Sequence, residues 1–149
     1  MDYSTQLIQT VGRETPRLLG LRNVSASRSA GKWSRTQILG HLVDSAINNY
    51  ARFVVGQLQP DLTVGHYQQD DWVRIGRYQE TPWEEVVSLW RQINLQLARV
   101  IESAPVDLRR SVRLKPKVNS GRGAELTTLD DLMRDYLDHM QHHLNQIFD

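Results

Sequence analysis

The segment DYLDHMQHHLNQIF places three of the chain's five histidines, His139, His142 and His143, within five residues of one another. Residues four apart on a helix share a face, one turn above the other. His139 and His143 have that spacing, so their imidazoles can converge on a single metal ion. The apolar residues Leu129, Met133, Tyr136, Met140, Leu144 and Ile147 recur at helical spacing and mark the seam this helix buries. At about 100° per residue, His143 lies roughly 60° from the centre of that seam, His139 roughly 100° and His142 roughly 160°. His139 and His143 therefore flank the interior. His142 reads as a solvated group that suits the negative end of the helix dipole.

Two imidazoles do not complete a site, and the chain has no cysteine to supply a thiolate. His41, in GHLVDSAINNYARF, is the third candidate. If its helix runs antiparallel to the last one, His41 stands level with His139 and His143. The apolar stripe of that helix, Ile38, Leu39, Leu42, Ala46, Tyr50 and Phe53, points away from His41. His41 shares its face with Ser45, Asn48 and Arg52. Periodicity leaves two readings of this face open, a solvated surface or a polar wall lining a pocket. His66, in VGHYQQDDW, reads as a loop residue.

The elements that must carry these residues are helical. Ser34 with Gln37 three positions on is a capping-box pattern, opening a helix from about Arg35 to about Gln57. Thr81 as cap and Pro82 at the first helical position open another, which ends before Pro105. The last helix starts at Thr127 or Thr128, with Asp130 and Asp131 at the positive end of its dipole. The first, in STQLIQTVGRETPRLLGL, should kink or restart at Pro16. SVRLKPKVNSGRGAEL reads as a loop, and no segment reads as a convincing strand. Four amphipathic helices make an all-α four-helix bundle, a single domain over residues 1–149. The connection from about Leu58 to Glu80 is long enough to run the length of a helix. Helices two and three can then be parallel, and two and four antiparallel.

Composition narrows the function. Hydrophobic residues make up 40% and charged residues 23%, ordinary for a soluble domain, and a net charge of +1 argues against a polyanion binder. The run LRRSVRLKPKVNSGRG carries Arg109, Arg110, Arg113, Lys115, Lys117 and Arg122 without interleaved aromatics. It reads as a solvated loop, and no nucleic-acid partner is expected. No apolar run suits a membrane span, and MDYSTQLIQTVGRETPRLL lacks the features of a secretory leader. A cytoplasmic protein is expected.

The blocks GKWSRTQILGHLVDSAINNYARF, YQQDDW and YLDHMQHHL together resemble the DinB-like superfamily. Within it they are similar to the YfiT-like metal-dependent hydrolases, a group that includes bacillithiol-transferase-like members. The resemblance spans about Gly31 to about Ile147 and is most specific at His41, Asp44, Ser45, Asn48, Tyr50, Arg52 and Phe53. It implies an up-down-down-up bundle and a divalent metal, zinc or nickel, held by His41, His139 and His143. It also implies that His142 is a bystander, and that the protein is a homodimer. Relatives often carry further histidines just before the first ligand and after the last pair, where this chain has Gly40 and Gln146.

Three neutral imidazoles leave a coordination position open, the pattern of a catalytic rather than a structural site. Asp44 is then a base, an acceptor orienting a ligand imidazole, or a surface carboxylate. Asn48 and Arg52 are pocket candidates, and Arg52 can hold an anionic group. Tyr67, Gln69 and Trp72 either form a lid or anchor the crossover. The leading expectation is a metal-dependent enzyme acting on a small molecule, by hydrolysis or by transfer of a low-molecular-weight thiol. The alternative is a non-catalytic metal- or ligand-binding bundle with a stress-related accessory role.

Overall fold

The computed structural model describes residues 1–59, 62–111, 113–116 and 127–149. Four long helices dominate: α1 (Tyr3–Leu19), α2 (Arg35–Leu58), α4 (Trp83–Ser103) and α6 (Leu129–Phe148). Two short ones, α3 (Gln69–Gly76) and α5 (Val106–Ser111), lie in the connections.

Local chemistry sets most of the starts. Asp2 caps α1 by accepting from the Thr5 amide. Ser34 and Gln37 form the expected capping box on α2, at 3.2 and 2.9 Å. Thr128 and Asp131 form another on α6. Replacing Thr128 with alanine is expected to cost about 1 kcal/mol, measurable as a lower denaturation midpoint at unchanged m.

Cross-helix contacts fix the directions. Ser4 donates to the Ala98 carbonyl at 2.9 Å, and Trp83 Nε1 to the Leu18 carbonyl at 2.7 Å, so α1 and α4 are antiparallel. Gln57 reaches the Val100 carbonyl, and Tyr78, just before α4, reaches Asp44 near the start of α2, so α2 and α4 are parallel. Arg35 donates to the Ile147 carbonyl at 2.7 Å and Phe53 packs edge-on against Tyr136, so α2 and α6 are antiparallel. Tyr3 bonds Asp130, and the Arg17 guanidinium sits over the Phe148 ring, so α1 and α6 are parallel. The order is up-down-down-up.

The core is a continuous apolar cluster with Leu7, Leu39, Phe53, Trp90, Leu97 and Met133 at or near zero exposure. One polar link crosses it. The Tyr136 hydroxyl donates to Asn94 Oδ1, and Asn94 Nδ2 donates to the Trp90 carbonyl at 2.8 Å. Asn94 is fully buried, so Tyr136→Phe strands its oxygen. That change is expected to cost about 1–3 kcal/mol in denaturant unfolding; an unchanged midpoint would contradict the link.

Several expectations shift. α1 does not restart at Pro16 but runs through it to Leu19. The cap of α4 is Pro82 rather than Thr81, because the Thr81 hydroxyl turns back to the Arg77 carbonyl at 2.8 Å. Three short strands pair: β1 (Thr63–Val64) parallel to β2 (Arg113–Pro116), and β2 antiparallel to β3 (Thr127–Thr128). Runs of two to four residues are too short to show an alternating pattern. Lys117 and Arg122 of the basic run lie outside the described residues, whereas Arg109 is nearly buried, 3.9 Å from Asp130. The crossover is organised by α3 and a 3-10 turn at Tyr78–Glu80, with Val73 and Tyr78 buried beneath it. Among the described residues, no helix is long and apolar enough to cross a membrane.

Candidate metal centre

The centre forms where the start of α2 meets the end of α6. Residues 38–46 of α2 are all buried, on the polar face as well as the apolar one. The cause is the number of neighbours: α2 packs against α4, α6, α3 and the 3-10 turn. His41 is fully buried, so the solvated reading of its face gives way to the pocket wall.

His41 and His139 bring their Nε2 atoms to 3.2 Å, and His139 and His143 bring theirs to 3.1 Å. The ring centroids lie 4.5–5.1 Å apart, each pair close to edge-on. Among the described residues this is the group whose ligand atoms could hold a metal, all within 4.8 Å of one another. The spacing fits an ion. Bonds of about 2.0–2.1 Å put ligand nitrogens about 3.3 Å apart around a tetrahedral metal and about 2.9 Å apart at adjacent octahedral positions.

Electrostatics leave these nitrogens free to ligate. Burial, reinforced by the neighbouring imidazoles, pulls the pKa of His41 down to about 3 and that of His139 to about 4. Burial also lowers His143, partly offset by its hydrogen bond to Gln146. The imidazoles are therefore neutral at physiological pH, the state a metal ligand needs. The Trp33 ring packs on His41 at 4.9 Å, and His41 Nδ1 is buried with no hydrogen-bond partner.

Asp44, one turn below His41, is buried and accepts a 2.6 Å hydrogen bond from the Tyr78 hydroxyl at Oδ1. Its other oxygen has no partner. Burial raises its pKa, and the Tyr78 bond partly counters this. Asp44 thus makes no hydrogen bond to His41 Nδ1. Among these three imidazoles, His143 has a side-chain partner at Nδ1, meeting Gln146 Oε1 at 2.8 Å. Gly40 explains how Tyr78 gets so close. A Cβ there would lie 2.2 Å from the Tyr78 ring, so a side chain at this position would exclude the tyrosine.

Two recesses reach the histidines. One of about 310 Å³ is lined by Ser45, Asn49, Arg52, Tyr67, Tyr136 and His139. Another of about 650 Å³ is lined by Arg28, Lys32, Trp33, Asp70, Gln146 and His143. Arg52 and Tyr67 thus stand in the smaller recess beside a candidate ligand. Burial lowers the Arg52 pKa and raises that of Tyr67 to about 12. Arg52 donates to the Gly65 carbonyl, and no carboxylate among the described residues pairs with it. Asn48 instead donates its amide to the Asp44 carbonyl at 2.8 Å, and its neighbour Asn49 lines the recess. Trp72 packs edge-on against Tyr67 at 5.2 Å and supports the wall from behind. His66 and Gln69 also line this recess. His142 is exposed.

Sequence reasoning missed Tyr78, Trp33 and Asn49 as parts of the site. A glycine directly before His41 was the available sign that something presses on the helix there.

A four-helix bundle of this order, with three histidines converging between its second and last long helices, defines a class. The chain belongs to the DinB superfamily, whose family model matches residues 14–147. Among solved structures it is similar to YfiT from Bacillus subtilis, described as a probable metal-dependent hydrolase with an unusual four-helix bundle topology. The two share 16% identity with a TM-score of 0.82, over 97% of this chain and 82% of that one, a likeness of fold. A comparison with curated proteins finds no match.

Proposed function

We propose that this protein is a metal-dependent enzyme that uses His41, His139 and His143 to hold a divalent ion, zinc or nickel, and acts on a small molecule. The observation that carries this reading is the convergence of three neutral imidazoles, with His139 Nε2 3.2 Å from that of His41 and 3.1 Å from that of His143, beside two recesses that reach His139 and His143. When bound, such an ion supplies Lewis acidity that activates water or a thiol. The description of YfiT as a probable metal-dependent hydrolase supports the hydrolytic form.

The chain's own groups divide the remaining work. Arg52, with no carboxylate partner among the described residues, binds an anionic group of the substrate, with Ser45, Asn49 and Tyr67 as further hydrogen-bonding groups. Trp72 keeps Tyr67 in place, and Asn48 stiffens the α2 turn below Asp44. Asp44, steadied by Tyr78, takes or returns a proton at its free Oδ2. Transfer of a small thiol is the second form. It is favoured by the two recesses, one bordered by His139 and the other by His143, which provide room for two reactants.

Metal analysis and activity assays test the reading together. The protein purified without chelator is expected to carry about one ion per chain, and its loaded form to turn over hydrolase or thiol-transfer substrates. Full loading with persistent inactivity across both substrate panels would favour a binding bundle instead. Protons and metal compete for the same nitrogens, so metal is retained at neutral pH and lost on acidification. With His41 and His139 lowered to about 3 and about 4, they protonate later than an ordinary histidine. Release in a pH-stepped dialysis is therefore expected to have its midpoint below about pH 6. Release already complete at pH 7 would contradict this.

A further inference from the structure

The last turn of α6 contains a hydrogen-bonded chain that the metal reading does not use. Gln146 Oε1 lies 2.8 Å from His143 Nδ1, and Gln146 Nε2 lies 3.2 Å from His142 Nε2. The spacings are three and four residues along one helix, so all three side chains overlap on one side of it. With the Gln146 amide in this orientation, the roles follow from its chemistry. An amide oxygen only accepts, so His143 Nδ1 must carry the proton it donates. An amide nitrogen only donates, so His142 Nε2 must be the acceptor. The proton on His143 is thereby held at Nδ1, and its Nε2 is left with a lone pair facing His139 Nε2 at 3.1 Å.

We propose that Gln146 and His142 form a clasp that fixes the tautomer and orientation of His143. Gln146 is the positioning residue and His142 is the anchor of its amide. The turn is itself pinned: Arg28 donates to the Gln146 carbonyl at 2.6 Å and Arg35 to the Ile147 carbonyl at 2.7 Å. These bonds satisfy carbonyls that the helix end leaves free, and they hold the Gln146 backbone in place. His142, exposed and outside the three-histidine group, is thereby connected to it through one side chain. His41 has no equivalent, since its Nδ1 is unpartnered. The clasp therefore makes His143 the pre-oriented member of the group. Groups of this kind commonly alter metal affinity by about 10–100-fold when removed.

This inference rests on the three-histidine reading, and the experiment separates the two. The ring nitrogens of His143 are followed by long-range nitrogen NMR in the metal-free protein, and zinc affinity is measured by competition with a chromophoric chelator. Wild type is expected to show His143 protonated at Nδ1. Gln146→Ala is expected to mix the tautomers and weaken zinc binding by about 10–100-fold at an unchanged Tm. Gln146→Glu keeps an acceptor at the same reach, so it should retain the tautomer and stay within about threefold of wild type. His142→Ala should weaken zinc by about threefold through a looser Gln146. A Gln146→Ala protein with the wild-type tautomer overturns the clasp, whatever its zinc affinity. A His142→Ala protein identical to wild type in both readouts removes His142 from it. If wild type binds no zinc, the metal reading fails, and the tautomers in the metal-free protein still decide the clasp.

Discussion

Replacing His139 with alanine is expected to weaken zinc binding by at least about 100-fold, more than the loss of a group that merely orients a ligand. His139 is chosen because it occupies the middle of the group. Its Nε2 lies 3.2 Å from that of His41 and 3.1 Å from that of His143. Without it, one imidazole remains on α2 and one on α6, too few for a three-ligand site. The fold should survive, because His139 is only half-buried and lies outside the apolar seam of α6. The measurement is zinc per chain after gel filtration, with a chelator competition for the affinity and a melting curve as control. Equal zinc content in wild type and variant would sink the three-histidine site.

The second large effect lies at Gly40. In an exposed helix, glycine to alanine gains about 1 kcal/mol from propensity. Here the new Cβ would sit 2.2 Å from Cγ and Cδ2 of Tyr78, far inside the contact distance of about 3.5–4.0 Å between carbons. Tyr78 has little freedom to move. A Cβ at Gly76 would also meet its ring, at 2.7 Å, and its hydroxyl is tied to Asp44 at 2.6 Å. Overpacking therefore outweighs propensity. Gly40→Ala is expected to destabilise by about 3 kcal/mol, a fall in Tm of about 6–12 °C. Tyr78→Ala alone should also destabilise, by opening a cavity. In the double variant the new methyl occupies vacated space, so the two costs should not add. Additive costs would show that the glycine is not there for the tyrosine.

How much of this was legible depended on how local the cause was. The capping box at Ser34 involves side chains three residues apart and was readable. The His139–His143 pair was readable for the same reason. The start of α6, by contrast, reads only as Thr127 or Thr128, with Asp131 assigned to the helix dipole rather than to a box. The burial of His41 was not, because an apolar stripe reports one packed face and α2 has neighbours on several. The resemblance to relatives, rather than periodicity, picked His41 out. Tyr78 was invisible as a partner of Asp44, because 34 residues and a crossover separate them. The cap of α4 was misplaced by one residue, because the preceding 3-10 turn offers Thr81 a carbonyl instead. The contact between Gln146 and His143 Nδ1 at 2.8 Å was not legible, although the two are three residues apart, because nothing in the sequence connects a glutamine with the histidines.

The crossover between α2 and α4 does two jobs with one piece of chain. Tyr67 forms a wall of the smaller recess, and Tyr78, eleven residues on, is wedged against the start of α2. A change in that wall that shifts α3 is transmitted to the wedge. The shape of the recess and the stability of the bundle are thus mechanically linked in this protein. Variants that enlarge the recess through this segment should lose thermal stability in proportion. Those that reshape it from α6 at the exposed Asp135 should not.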